Sequence, residues 1–365
     1  MNTIKFDEDK LEKSVINLIE NIGYEHSKGP SIKRESEKEV LIEEDLKKYL
    51  VKNYADLSQN EIDKILFELE SFSSSDLYET NKKFYKTIVN GKIIKREDPK
   101  KNDIFLNLIS KQPEKNIYRI VDQFKIFGLE KRIPDLIIYI NGIPVVIFEF
   151  KSAIKVNTNI YDAYKQLKIR YMRDIPDIFK YNLFCIISDG VDNRSGSIFS
   201  SFENFYSWRR SNLDNENDAE GLKSLKTLLN GMLNKKDLIK IIFDFIYFPD
   251  NSDDEEKILC RYPQFYGALS LFNNIQKNLK PNGSGKGGTY FGATGCGKSH
   301  TMLFLSRLIM KNKSLGSPTI IFITDRTDLD DQLSKLFENS KNFLFDENIS
   351  SVESRNDLKE KLKNR

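Results

Sequence analysis

Residues 134–151 read PDLIIYINGIPVVIFEFK, and the fold turns on how this stretch pairs with itself. Two β-branched and aromatic runs, Leu136–Ile140 and Ile143–Phe150, flank Asn141-Gly142, a strong short hairpin signal. On a strand of period two, Glu149 and Lys151 share one face while Phe148 and Phe150 take the other. A two-residue loop would pair Ile140 with Ile143 and Asp135 with Phe148, sending Asp135 and Glu149 to opposite faces. A three-residue loop with Gly142 left-handed, or a single bulge, restores the parity. The expectation is that one of these operates and the carboxylates converge.

Converged, Asp135 and Glu149 would make an oxygen-ligand site for Mg2+, an ion that keeps several waters and takes few protein ligands. Lys151 beside them would orient or deprotonate a water and offset charge on an attacked phosphate. The bland alternative is a buried strand pair ending in charges. Even that requires a salt-bridge cluster, because Asp, Glu and Lys are seldom buried unpaired. Pro134-Asp135 followed by Glu149-Phe150-Lys151 resembles the PD-(D/E)xK nuclease motif.

The 365-residue chain has room for two domains or slightly more. With 30% charged and 39% hydrophobic residues it reads as globular, and a net charge of +3 neither requires nor excludes a polyanionic partner. Three scattered cysteines, Cys185, Cys260 and Cys296, and only two histidines, His26 and His300, argue against disulfide, zinc and histidine-triad chemistry. Carboxylate and Mg2+ chemistry in a reducing, cytoplasmic setting remains. The start, MNTIKFDEDK, is polar and no apolar run reaches bilayer length, so neither an export signal nor a membrane span is expected.

Upstream of the hairpin, Phe6 to Gly23 reads as an amphipathic helix with Leu11, Val15, Ile16, Leu18, Ile19 and Ile22 on its apolar face. Glu12 lies off that face, and solvation is its ordinary fate, with the nuclease site as the alternative. Residues 25–38 read as loop, and helices are expected over Val40–Val51, Glu61–Leu69 and Leu77–Tyr85. Gly91 to Asp98 reads as a basic strand or turn, and Ile117–Phe127 as a strand leading to the hairpin. Downstream, Ile160–Tyr171 reads as a crossover helix and Leu183–Ser188 as the next strand, a strand–helix–strand unit. Trp208 reads as a core anchor, with a DNA-contacting Trp208-Arg209-Arg210 cluster as the alternative. Residues 211–222 are polar and acidic, a linker; helices follow over Leu222–Leu233 and Lys236–Phe248.

The second motif is Gly292-Ala293-Thr294-Gly295-Cys296-Gly297-Lys298-Ser299, which fits the G-x-x-x-x-G-K-[ST] phosphate loop. Thr289–Phe291 is expected as the strand before it and Ser299–Met310 as the helix after it. The glycines let backbone N–H groups close on ATP phosphates, Lys298 reaches the β and γ oxygens, and Ser299 ligates Mg2+; Thr301 follows on the same helix. Gln264 in Arg261-Tyr262-Pro263-Gln264 is a helix-start residue or an adenine contact. Thr319–Thr324 reads as a buried strand, followed by Asp325-Arg326-Thr327-Asp328-Leu329. There Arg326 is either a DNA-phosphate contact or half of a surface pair with Asp328.

These two motifs, with LEKSVINLIENIGY, VDQFKIFG, IPDIFKYNLFCIISDG, FENFYSW, RYPQFYGA and ITDRTDLDDQL around them, resemble the R (restriction and translocation) subunit of type I restriction enzymes over nearly the whole chain. The resemblance implies an α/β protein: a PD-(D/E)xK nuclease over 1–210, a helical linker region over 211–255 and the start of a RecA-like superfamily 2 motor over 256–365. It implies Asp135 and Glu149 as metal ligands, Lys151 as catalytic lysine, Gln264 as a Q motif and the phosphate loop at ATP. The implied partners are double-stranded DNA and the methylase and specificity subunits.

Two departures stand out. The family's QxxxY element appears as Gln166 with Tyr171 at plus five, and an α-helix at about 100° per residue carries plus five off the face of Gln166. One of the pair is therefore expected to miss the site. The chain also stops at Arg365 without the acidic motor motif or second lobe, which suggests a truncated reading frame or a shortened version of a longer protein. Negligible ATP hydrolysis by this chain alone follows from that expectation. The competing reading is a nucleotide-binding assembly or regulatory module whose nuclease residues are structural.

Overall fold

The computed structural model describes residues 8–151, 159–210, 222–251, 255–345 and 348–363. The chain forms two compact units, Met1–Ile246 with Lys257–Tyr262, and Tyr247–Glu256 with Pro263–Arg365.

The first unit is built on a mixed sheet of six strands in sequential order: β1 (Glu25–Lys28), β2 (Tyr118–Asp122), β3 (Leu136–Ile140), β4 (Ile143–Phe150), β5 (Phe184–Ser188) and β6 (Asn193–Gly196). β1–β2 and β4–β5 are parallel; the other neighbours are antiparallel. Every residue of β3 and β4 is buried, as unbroken apolar runs demand, and each large apolar side chain there contributes about 1.5–3 kcal/mol over exposure. The expected crossover is present: after β4 a helix, here bounded as Ile160–Lys165, packs on β4 and β5. Helix α1 (Glu8–Asn21) lies against β1 and β4, burying Leu11, Val15, Ile16 and Ile19.

The hairpin turn explains its own sequence. Asn141 (φ +53°) and Gly142 (φ +78°) are both left-handed, as a two-residue turn between twisted strands requires. Asn141 is wholly buried, accepting from the Ile117 N–H at 2.7 Å and donating to the Leu108 carbonyl at 2.9 Å. A Cβ on Gly142 would stand 2.1 Å from the Ile42 carbonyl oxygen, so the helix Glu43–Asn53 can start directly over the turn.

Between β1 and β2 lie the α-helices Glu43–Asn53, Gln59–Glu70 and Leu77–Asn90, the second opened by a capping box from Ser58 to Glu61. The stretch expected to be loop over 25–38 contains β1. This short, half-exposed edge strand shows no apolar alternation, and its Glu25 and Ser27 accept from the Arg119 guanidinium on β2. β6 is likewise an edge strand of polar residues, NRSG, without an apolar signal. Trp208 is buried in this unit, the core-anchor role. Residues 211–221 of the expected linker lie outside the described residues, while the helix Lys235–Asp244 is buried within the first unit.

The second unit holds helices at Tyr262–Lys277, Lys298–Lys311, Thr327–Glu338, Lys341–Leu344 and Arg355–Lys363. The expected strands Thr289–Phe291 and Thr319–Thr324 are not formed: from Pro263 onward no described residue is in a strand. Phe291 and Ile323 are almost fully exposed. Extended apolar segments become strands only when neighbours take up their backbone N–H and C=O groups, and the described residues offer none. Among the described residues no helix is long and apolar enough to cross a membrane.

Candidate active site

Asp135 and Glu149 are brought together by a β-bulge. Ile140 pairs with Ile143 across the two-residue turn, but the register shifts between Ile138 and Tyr139, so that Tyr139 opposes Pro144 and Ile138 opposes Val146. Val145 is the extra residue. Beyond it Leu136 opposes Phe148, which sets Asp135 across from Glu149 on one face. The Asp135 Oδ2 accepts the Phe150 N–H at 2.5 Å, pinning the two strand ends together.

Glu149 is fully buried. Its Oε1 accepts from Lys151 Nζ at 2.6 Å, and that ammonium also reaches the Phe150 carbonyl at 2.9 Å. Its Oε2 is buried with no hydrogen-bond partner, an acceptor that a divalent cation would satisfy. Burial, then the neighbouring Asp135, push the Glu149 carboxyl up to about 8 against the pull of Lys151. Burial pushes Asp135 up to about 6, opposed by the Phe150 N–H and Lys151. Desolvation holds both carboxyls above their ordinary range, with Asp135 adding repulsion at Glu149 and Glu8 at Asp135, so a positive charge placed between them would be favoured.

Glu12 of α1 belongs to this neighbourhood. Half-buried, it is pushed up to about 7, first by desolvation and then by Asp135, Asp122 and Asp9. Asp122, at the end of β2, is paired with His26 Nε2 at 3.0 Å. The VDQFKIFG string contains Asp122 without giving it a role in the site; its approach to Glu12 is a property of the fold. Among the described residues no three or more His, Cys, Asp or Glu side chains are arranged to hold a metal ion. An ion here would rest on Asp135 and Glu149, leaving other positions to water or substrate oxygens, which suits Mg2+.

The expectation that Gln166 or Tyr171 misses the site is corrected by the backbone. Residues Gln166–Tyr171 form a π-helical turn continuing the helix Ile160–Lys165. Its i→i+5 hydrogen bonding brings plus five back over Gln166, where an α-helix would carry it away. The Gln166 Nε2 donates to the Tyr171 hydroxyl at 2.9 Å, and that hydroxyl donates to the Ile133 carbonyl at 3.1 Å. It also stands close enough to Glu149 to bear on its charge. The inserted residue is thus absorbed as a π-bulge.

In the second unit, Gly295 (φ +80°) and Gly297 (φ +81°) give the phosphate loop its left-handed turns, and Gly297 caps the helix Lys298–Lys311. Lys298 Nζ folds back on the Gly292 and Ala293 carbonyls at 3.1 and 3.2 Å. Thr294 is exposed, Cys296 and Ser299 are half-buried, and Thr301 is buried with its hydroxyl 3.4 Å from the Gly297 carbonyl. Gln264 is buried against this loop, its Nε2 3.4 Å from the same carbonyl. Arg326 is paired with Asp328 at 2.6 Å on the surface.

Residues 5–204 match the family model described as type I restriction enzyme R protein N terminus, and residues 263–365 match that of the SWI2/SNF2 ATPases. The putative type I restriction enzyme MjaIXP endonuclease subunit of Methanocaldococcus jannaschii is 30% identical over 91% of this chain and 34% of its own length. The type I restriction enzyme HindI endonuclease subunit of Haemophilus influenzae is 28% identical over 98% of this chain and 35% of its own. A Staphylococcus aureus relative, the SauCOLORF180P endonuclease subunit, is 24% identical over 90% of this chain. The chain spans about a third of the length of the curated relatives it matches.

Proposed function

Because the chain belongs to the type I restriction enzyme R protein N-terminal family, we propose that it forms the DNA-cutting part of an R subunit, together with the start of its motor. In this reading residues 1–210 are a PD-(D/E)xK endonuclease, 211–255 a helical linker region and 256–365 part of a RecA-like ATP-binding domain. The substrate is double-stranded DNA, the cofactors are Mg2+ and ATP, and the partners are the methylase and specificity subunits. The setting is cytoplasmic. Translocation driven by ATP belongs to the intact subunit.

The observation that carries the reading is the bulge at Val145, which aligns Asp135 with Glu149 and leaves Glu149 Oε2 without a partner. Asp135 and Glu149 hold the cation. Mg2+, when bound, supplies Lewis-acid stabilisation of charge on the attacked phosphate. Lys151, whose ammonium lies 2.6 Å from Glu149 Oε1, is the group that would orient the attacking water and offset charge on the phosphate. Gln166 and Tyr171 brace the site by fixing the strand entry at Ile133. In the second unit the phosphate loop with Lys298 and Ser299 takes ATP phosphates, Gln264 reads adenine, and Arg326 is the DNA-backbone contact once released from Asp328. The alternative, an assembly module with structural carboxylates, is not favoured. Its strand ends would need fully paired charges, and the relatives are named endonuclease subunits.

The test is linearisation of supercoiled plasmid by a reconstituted type I complex with Mg2+ and ATP. Asp135→Asn and Lys151→Met in the R subunit should abolish cutting while ATP turnover on DNA continues. Wild-type cutting by either variant would refute the reading.

A further inference from the structure

The stretch of chain that leads into Asp135 displays apolar side chains that nothing in the fold requires. Strands Ile126–Phe127 and Lys131–Arg132 form a small hairpin with Gly128-Leu129-Glu130 at its tip. Its second strand runs on through Ile133 and Pro134 to Asp135. Leu129 is 71% exposed, Phe127 45% and Ile133 38%. On the facing π-turn Ile169 is 57% exposed. Single exposed apolar residues are ordinary, but here four lie on two segments tied together by backbone bonds. The Tyr171 hydroxyl binds the Ile133 carbonyl, and the Leu129 N–H binds the Asp174 carbonyl at 2.7 Å.

The finger is rigid. A Cβ on Gly128 would stand 2.2 Å from the Asp174 oxygen, so the tip lies flush on the backbone beyond the π-turn. Asp174, fully buried, holds Arg132 Nε at 2.6 Å and Arg173 Nε at 2.7 Å. The Phe127 N–H is fixed to the Glu37 carbonyl at 2.9 Å. A tip so anchored presents Leu129 to solvent at fixed position with no protein contact to gain.

We propose that the Ile126–Arg132 finger is a duplex-seating wedge, its Leu129 packing into the minor groove beside the scissile phosphate, with Arg170 on the π-turn as the accompanying backbone contact. This rests on the nuclease reading of Asp135 and Glu149. Rigid apolar side chains beside groups that bind phosphate suit a groove floor of sugars and base edges, where an apolar wedge partly unstacks a step. Arg170 is exposed and makes no ion pair among the described residues, unlike Arg132 and Arg173, so its charge is available. On the π-turn Ile169 and Arg170 are exposed, while Tyr171 is buried near Glu149 and holds Gln166.

The experiment is titration of the chain, with Ca2+ replacing Mg2+ to prevent cutting, onto a short duplex carrying 2-aminopurine. Wild type should bind with a rise in 2-aminopurine fluorescence. Leu129→Ala should weaken binding about tenfold and lose the rise. Arg170→Ala should reduce the salt slope of binding by about one and keep the rise. Phe67→Ala, which removes an equally exposed apolar side chain from the helix Gln59–Glu70, should retain both signals, and a failure of the nuclease reading is seen separately as cutting by Asp135→Asn in Mg2+. Wild-type affinity and fluorescence in Leu129→Ala would overturn the proposal, as would absence of duplex binding by the wild-type chain. A Leu129→Ala defect confined to association with the methylase subunit would also overturn it, making the finger a protein-docking element.

Discussion

Glu149→Gln tests the electrostatics of the site without any assay of cutting. Glu149 is fully buried and its carboxyl is raised from 4.5 to about 8 by desolvation and Asp135. A carboxyl raised in the folded state binds its proton more tightly there than in the unfolded chain. Its contribution is therefore fully favourable below the unfolded value and is lost as pH climbs through the folded one. Between pH 5 and pH 8 in EDTA the unfolded chain is ionised at this position while the folded chain must still be deprotonated. At 1.36 kcal/mol per pKa unit, wild type forfeits about 3 kcal/mol over that window, and the neutral isostere forfeits none of it. Urea unfolding of the first-unit transition at both pH values gives the difference directly. The stability of Glu149→Gln relative to wild type should rise by about 3 kcal/mol from pH 5 to pH 8, and Mn2+ should shrink that gap by stabilising only wild type. A pH-independent difference would mean that Glu149 is ionised and satisfied by Lys151, and the cation-site argument would fail.

Other expectations follow from single contacts. Gly142→Ala should cost about 2–4 kcal/mol in urea unfolding, because its Cβ meets the Ile42 carbonyl at 2.1 Å in a left-handed backbone; a loss under 1 kcal/mol would mean the turn can shift. Lys257, buried and donating to Asn81 Oδ1 at 2.9 Å and the Asn182 carbonyl at 2.7 Å, is pushed down from 10.5 to about 7 by burial. The unfolded chain then holds more protons between these values, so wild type should gain about 2 kcal/mol from pH 7 to pH 9 that Lys257→Met lacks; parallel pH profiles would refute the shift. Lys298→Ala should abolish binding of a fluorescent ATP analogue, and Gln264→Ala should bring ATP and GTP affinities together; unchanged ATP preference in the latter would remove Gln264 from the adenine site.

Much of the first unit was legible because its signals are local. The apolar runs of β3 and β4, the Asn141-Gly142 turn and the crossover to β5 announce themselves in composition and period. Parity called for either a three-residue loop or a bulge; that the turn keeps two residues and the bulge falls at Val145 was not legible, since either device, at any residue of the run, satisfies the count. The π-turn is not legible from α-helical angles because its hydrogen bonding is i→i+5. The misfit of Gln166 and Tyr171 was itself the clue, an insertion that tertiary contacts absorb. β1 escaped because an edge strand carrying ion-pair partners has no apolar alternation. The two strands expected around the phosphate loop show the converse: apolar composition makes a segment suitable for a sheet, but pairing partners make it a strand. Glu12 was weighed as solvated or site-directed. Its half-burial beside Asp135 and Asp122 puts it with the carboxylates.

The central claim is that Asp135 and Glu149 share one divalent cation, and Mn2+ titration followed by electron paramagnetic resonance, without nucleotide, tests it most directly. The account predicts one bound Mn2+ per chain, tightening as pH rises from 6 to 8 while the raised carboxyls give up their protons, and lost in both Asp135→Asn and Glu149→Gln. Wild-type Mn2+ binding retained in either variant would contradict it.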